Sequence, residues 1–246
     1  MFTGTAHTTY ALRPGRQDLS AFTEKIAWRE APLLSRLRRP VRGAKITTEH
    51  AKSFYSIIVS VRDESIHDFG GSKIRDDLDK KKRECIRRLL HDLEGWSVNR
   101  ISSMLSTNTF EPGVNGFPSG GGESKKGLTE ELINTALKMI CNHSSVSVDT
   151  ILLNENQKRA LNLTSFYKSD CREYHVTVSR RVPKNKVFLL DCSKISVTPL
   201  EGMRFQYKKL SMADDSIEGM VLGKYTLEMK NEASHGLIHE LSLDGK

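Results

Sequence analysis

The residues able to do chemistry in this chain are few and scattered. Of eight histidines, His235 and His239 stand four apart, the spacing of a helical zinc pair. The metalloprotease pattern puts a Glu beside the first His. Here Gly236 follows and the local pattern favours strand and loop, so both read as surface histidines. Asp214, Asp215 and Glu218 could approach a cation but lack the Asp-x-Asp-x-Asp-Gly order of a calcium loop, and they read as a solvated turn. The four cysteines, Cys85, Cys141, Cys171 and Cys192, form no CxxC pair. They read as small core residues. The run GGGESKKG at 120–127 resembles a phosphate loop, but Gly122 is followed five residues later by Gly127-Leu128-Thr129 rather than by Gly-Lys-Ser/Thr. No Gly-x-Ser-x-Gly elbow occurs. These residues predict no catalytic site, no metal and no cofactor, and the chain is expected not to be an enzyme.

Charge is the stronger signal. The 246 residues carry a formal net charge of +8, which favours an anionic partner, nucleic acid first. Arg36, Arg38, Arg39, Arg42 and Lys45 cluster in one stretch, and Lys80, Lys81, Arg87 and Arg88 in a second. A solvated basic face accounts for the same pattern, because charge says nothing of fold. No run approaches the roughly 18 apolar residues of a membrane span. The amino-terminal residues MFTGTAHTTYALRPGRQ show no signal-peptide core, so cytosolic synthesis is expected.

The elements that must carry these residues centre on Ser72 to Ile101. Ile74, Leu78, Cys85, Leu89, Leu93 and Trp96 recur at helical spacing, with Ile86 and Leu90 widening the stripe. Asp76/Lys80, Asp77/Lys81, Asp79/Arg83 and Glu84/Arg88 place acid before base at four-residue steps. A helix of that length spans roughly 45 Å, and Gly95 brings its expected end back towards Glu94. Before it, Leu19, Phe22 and Ile26 mark a short helix, and Pro32-Leu33-Leu34 begins another with Pro in the first turn. This region reads as an arm laid against something rather than as core. Ile57 to Val61 reads as a strand in a projecting hairpin that bends near Thr47 to His50.

After a turn-rich stretch from Thr107 to Gly127, Leu128 to His143 reads as a helix capped by Thr129, with the stripe Leu132, Ile133, Ala136, Leu137 and Ile140. Thr150 to Leu153 is a buried strand. Asn154 and Gln157 form a loose capping box for a helix to about Leu163. Strands follow at Tyr174–Val178, Val187–Leu190, Ile195–Val197, Met203–Tyr207, Tyr225–Met229 and Leu237–Ile238, with a turn at Pro183 to Lys186. The last two read as a closing pair. The order predicts an α+β fold.

Two terminal stretches carry a resemblance. Residues 208–241, KKLSMADDSIEGMVLGKYTLEMKNEASHGLIHEL, hold a Tyr-Thr-Leu-Glu strand (Tyr225 to Glu228, after Gly223) followed by Asn231, Glu232, His235 and Gly236. The stretch TTYALRPGRQDLSAFTEKIAWREAPLLSRL holds Gly-Arg-x-Asp-Leu-Ser and Glu-x-Pro-Leu. Both resemble the ends of tailed-bacteriophage major capsid proteins, and the order of elements between them agrees across essentially the whole chain. Two features depart from the group. The chain is short, implying trimmed loops in the central domain, and Lys224 stands where the group has an acidic residue.

The resemblance implies an HK-ninety-seven-like capsid fold. Its parts would be an N-terminal arm (1–39), an extended β-hairpin loop (40–70) and a peripheral domain with a long spine helix (71–111). A central α/β axial domain (112–198) and returning peripheral β-strands (199–246) would follow. It implies a structural major capsid protein whose hexamers and pentamers form an icosahedral shell around double-stranded DNA. The protein would be made in the host cytoplasm and located in the virion. Portal and scaffolding proteins would be partners, with scaffold supplied separately or not at all, and membranes would not. The basic residues Arg36, Arg38, Arg39, Arg42, Lys80, Lys81, Arg87 and Arg88 would face DNA in a sequence-independent, salt-sensitive contact. Nothing marks Lys45 or Lys52 for cross-linking. An encapsulin-like compartment and a basic nucleic-acid-binding protein are the alternative readings.

Overall fold

Apolar residues at three- and four-residue steps in two stretches, and β-branched runs elsewhere, set the elements of the computed structural model. It describes residues 31–37, 55–63, 73–119, 127–143, 148–169, 172–201, 206–213 and 216–242, and only the backbone at 55–63, 73–86, 143, 206–213 and 216–221. The chain forms two compact units. The first comprises residues 1–31, 39–93 and 197–227, and the second 32–38, 94–196 and 228–246.

Four helices are described: α1 (Pro32–Arg36), α2 (Lys73–Met104), α3 (Glu130–His143) and α4 (Glu155–Ala160). Helix α2, with 32 residues, is about 48 Å long at the helical rise. It runs through Gly95 instead of ending there. A Cβ at Gly95 would stand 3.4 Å from Cδ of Arg181, an ordinary packing distance, so that arginine lies over the helix at this point.

In the first unit, β1 (Tyr55–Asp63) pairs antiparallel with β9 (Ser216–Met229) in the register Tyr55↔Tyr225. Strand β8 (Gln206–Ala213) returns on β9 as a hairpin closing at Ala213↔Ser216. β7 (Ile195–Pro199) flanks β9 on its other side. The Ile57–Val61 strand therefore exists, and its partner is β9. The expected bend at Thr47 to His50 and the residues Met203 to Phe205 lie outside the described residues.

The second unit is built on a six-stranded sheet in the order β2 (Thr109–Phe110), β10 (Gly236–Ile238), β6 (Val187–Leu190), β3 (Thr150–Leu153), β5 (Glu173–Val178), β4 (Phe166–Lys168). The central strands β3 and β6 are buried at every position, as expected of strands covered on both faces. Helix α3 lays Leu132, Ile133, Ala136, Leu137 and Ile140 on one face, in a cluster with Ile151, Leu153, Val187, Leu189 and Ile238. Leu152, Phe188 and Leu190, which alternate with them, are buried as well, and α1 lies against β5. Leu33, Leu34 and Leu37 are all buried, so this end of the expected arm belongs to the interior of the second unit.

The expected closing pair is not a pair. Strand β9 lies in the first sheet and β10 in the second, between β2 and β6. The chain turns at Asn231, whose φ of 52° is left-handed, and enters the short 3₁₀ helix η2 (Glu232–Ser234). It thus leaves one sheet for the other instead of folding back on itself. Helix α4 ends at Ala160 rather than near Leu163. Asn162 adopts a left-handed φ of 49°, and the Leu163 amide donates back to the Lys158 carbonyl at 3.0 Å, a Schellman-type stop in which Asn replaces Gly.

Candidate functional site

Three polar arrangements in the second unit join segments far apart in sequence. The first begins with Pro32, which opens α1 without an N–H. Leu33 then presents the first amide needing a partner, and Ala31, in the capping position, has no side-chain oxygen to offer. The partner is Glu94, whose Oε1 accepts from the Leu33 amide at 2.7 Å in a buried contact. The Glu94 side chain is 1% exposed. Burial pushes its carboxyl above the usual range, against the Leu33 amide, the Ser179 hydroxyl and the Arg181 charge, which pull it down. Four residues on from Pro32, Arg36 donates to Thr150 Oγ1 at 3.3 Å.

The second arrangement seats the C-terminal return. His235 is completely buried, so the expectation of a surface histidine is corrected. The chain passes through the interior at this point, and a polar ring there can stay only if something uses it. Its Nδ1 accepts the Asp191 amide at 3.1 Å, which places the proton on Nε2, and Nε2 has no partner. His239 lies half-buried beside Glu240. Among the described residues no His/Cys/Asp/Glu group is arranged to hold a metal.

Asp191 also caps the 3₁₀ helix η1 (Cys192–Lys194) through Ser193, and Asp149 accepts the Cys192 amide at 3.1 Å. Burial, with Asp149 nearby, pushes the Cys192 thiol up to about 12. It is a packed, unreactive group, as the sequence suggested. Asn108 locks the return from the other side, donating to the carbonyls of Ala233 and His235, both at 2.9 Å. Glu232 Oε1 collects the amides and hydroxyls of Ser106 and Thr107, and these bonds pull its carboxyl down to about 2.

The third is the capping box of α4, which is complete. Asn154 accepts from the Asn156 amide, and Gln157 Oε1 accepts from the Asn154 amide at 2.8 Å. Gln157 then donates to the carbonyls of Lys184 and Lys186, so the same glutamine pins the Pro183 to Lys186 turn.

Of the basic residues singled out by sequence, Arg36 is half-buried against Thr150, and Arg87 and Arg88 are exposed on α2. Lys80 and Lys81 lie on α2 with only their backbone described, and Arg38, Arg39 and Arg42 are outside the described residues. Sequence reasoning missed Glu94 and His235. A signal existed for each. Glu94 interrupts the apolar stripe between Leu90 and Ile101, and His235 opens the apolar run Gly236-Leu237-Ile238.

Among the described residues the arrangement consists of structural joints and exposed basic residues. Residues 162–242 match the family model of the SU10 major capsid protein. That stretch is similar to a phage major capsid protein family. The matched stretch covers β4 to β10 and so includes the C-terminal return.

Among solved structures, this chain is similar to the holo-SrpI encapsulin complex of Synechococcus elongatus PCC 7942, at 10% identity and a TM-score of 0.63, over 97% of this chain and 94% of that one. It is similar to the satellite phage P4 procapsid with its size determination (Sid) protein, at 8% identity and a TM-score of 0.58, over 91% and 100%. Microbacterium phage Oxtober96 follows at 13% identity and a TM-score of 0.53, over 96% and 95%. At these identities the likeness gives the fold, which is HK-ninety-seven-like. No curated protein matches the sequence.

Proposed function

We propose that this chain is a phage major capsid protein that assembles with copies of itself into hexamers and pentamers of an icosahedral shell that encloses double-stranded DNA. The observation that carries the reading is the capsid-family match over 162–242 in a chain that is similar over 91% of its length to a phage procapsid structure. In this reading residues 1–39 are the arm, 40–70 the extended loop, 71–111 the spine region, 112–198 the axial domain and 199–246 the returning strands. Association then comes from large buried surfaces between subunits, not from a pocket. The protein is made in the host cytoplasm and resides in the virion, with scaffolding and portal proteins as further partners.

The net charge of +8 supports a DNA-facing surface made by Arg38, Arg39, Arg42, Lys80, Lys81, Arg87 and Arg88. Arg36 contributes less, since its guanidinium is turned to Thr150. Such a contact neutralises phosphates without reading bases, so it weakens as salt rises.

Size-exclusion chromatography with negative-stain imaging at low and high salt tests the proposal. Hollow particles, or rings of five and six subunits, are expected. A monomer that never assembles and binds DNA tightly at physiological salt would overturn it in favour of a basic nucleic-acid-binding protein. Particles that package protein and exclude nucleic acid would favour the encapsulin-like compartment, a reading supported only by shared fold.

A further inference from the structure

Helix α1 has five residues, too few to persist by its own hydrogen bonds. Its start is also uncapped locally, because Pro32 brings no amide and Ala31 no side-chain oxygen. The missing acceptor comes from Glu94, 61 residues away. That position lies within the apolar stripe of α2, between the buried residues Leu90, Leu93, Val98 and Ile101. An apolar side chain would serve the helix as well and would avoid desolvating a carboxylate, so helix packing does not account for a Glu there. What the Glu supplies is an oxygen for Leu33, with Ser179 and Arg181 completing its surroundings. The Arg181 side chain also packs over the neighbouring Gly95.

We propose that Glu94 is the positioning residue of the amino-terminal arm: by accepting the Leu33 amide it fixes residues 32–37 in the second unit and so makes the subunit competent to assemble. The inference rests on the shell reading for its last clause only. The clasp itself stands on the geometry. Arg36 on Thr150 is the second tie, and the buried Leu33, Leu34 and Leu37 supply the adhesion. Those leucines fasten the helix to its site, while Glu94 selects its start and direction, because only the hydrogen bond is directional.

The test compares the full chain with E94Q, which keeps an oxygen for the Leu33 amide, and E94L, which fills the stripe without one. Hydrogen exchange is read at residues 33–37 and, as a control, in α3, β3 and β6, and particles are counted by negative stain. E94L is expected to exchange at 33–37 at least about ten-fold faster, with control elements unchanged, and to lose most of its particles. E94Q is expected to stay close to the unmodified chain in both. If E94L loosens the control elements too, A31S in the E94L background decides, since a local hydroxyl cap should restore protection at 33–37. Unchanged exchange at 33–37 in E94L would overturn the clasp, as would failure of A31S to restore it. Loosened residues 33–37 with a normal particle yield would overturn the role in assembly. If the unmodified chain forms no particles, the shell reading fails, and the exchange data alone still decide the clasp.

Discussion

The His235 ring accepts the backbone amide of Asp191 through Nδ1 at 3.1 Å, 44 residues apart in sequence and fully inside the second unit. This bond holds the C-terminal return to the end of β6 and exists only while Nδ1 carries no proton. Burial depresses the ring's proton affinity from its ordinary 6.5. Asp191, Asp149 and the Lys230 backbone favour the cation and Lys194 opposes it, and burial outweighs them. The Lys230 backbone does not complete a bond to Nε2. The nearest strands, β6 and β10, bring only apolar residues and glycine, and the charged residues of α3, Glu130, Glu131 and Lys138, are exposed.

The unfolded chain therefore takes up a proton near pH 6.5 that the folded chain refuses. The His235 contribution is complete above that pH and is lost as pH falls below it, at up to about 1.4 kcal/mol per pH unit. His235→Asn keeps an acceptor where Nδ1 stood and cannot titrate. It should lower stability by about 1 to 2 kcal/mol at pH 7.5 through lost packing, and it should flatten the decline between pH 6.5 and 5. Urea denaturation at several pH values checks this. An unchanged acid decline in the variant would assign that decline to other groups.

Glu232 makes the complementary case for a surface carboxylate. Four donors from Ser106 and Thr107 converge on one of its oxygens, at 2.5 to 3.2 Å, and hold its carboxyl near 2 against an ordinary 4.5. Its folded value is depressed, so its contribution is present above pH 4.5 and disappears as pH falls through 2. Glu232→Gln should cost about 1 kcal/mol at neutral pH, a figure already discounted for solvent screening. The gap between the variant and the unmodified chain should close towards pH 2. Thermal melts at pH 7, 4 and 2.5 measure it.

Gly236 marks the closest approach of β10 to α3. A Cβ there would stand 2.5 Å from Cδ1 of Ile140 and 3.2 Å from Cε2 of Phe110. Gly236→Ala should cost about 1 to 3 kcal/mol by overpacking. Ile140→Val removes the clashing methyl, so the double variant should be more stable than Gly236→Ala alone. The test is a double-mutant cycle by chemical denaturation, and strict additivity would show that the clash is relieved elsewhere.

Thr164 guards the free edge of the second sheet. Phe166 sits opposite His175, whose amide already donates to Asp149 on the β3 side, so the Phe166 backbone groups face outward. The Thr164 hydroxyl donates to the Phe166 carbonyl at 2.8 Å and accepts the Phe166 amide at 3.3 Å. It occupies the pair an incoming strand would use. Phe166 itself is 46% exposed, an apolar lure beside an open edge. Thr164→Val should leave stability within about 0.5 kcal/mol and should raise light scattering at high protein concentration. No change in scattering would mean the edge is protected without the hydroxyl.

Much of this molecule was determined locally. The stripe Leu132 to Ile140 forms α3 because its spacing gives one apolar face whatever that face meets. Asn154 and Gln157 announce α4 because both halves of the capping box lie within one turn. The continuous apolar runs Thr150–Leu153 and Val187–Leu190 declare strands buried on both faces. What the sequence left open depended on partners distant along the chain. Nothing near Tyr225–Met229 or Leu237–Ile238 reveals that they join different sheets, because strand pairing is chosen by the surfaces already assembled. Gly95 looked like a helix end, yet α2 runs on to Met104. Glu94 stood only as an expected helix end and His235 as a surface imidazole until the Leu33 and Asp191 amides met them. Burial and hydrogen bonding between remote segments gave those side chains their roles, and only the tertiary structure brings the segments together.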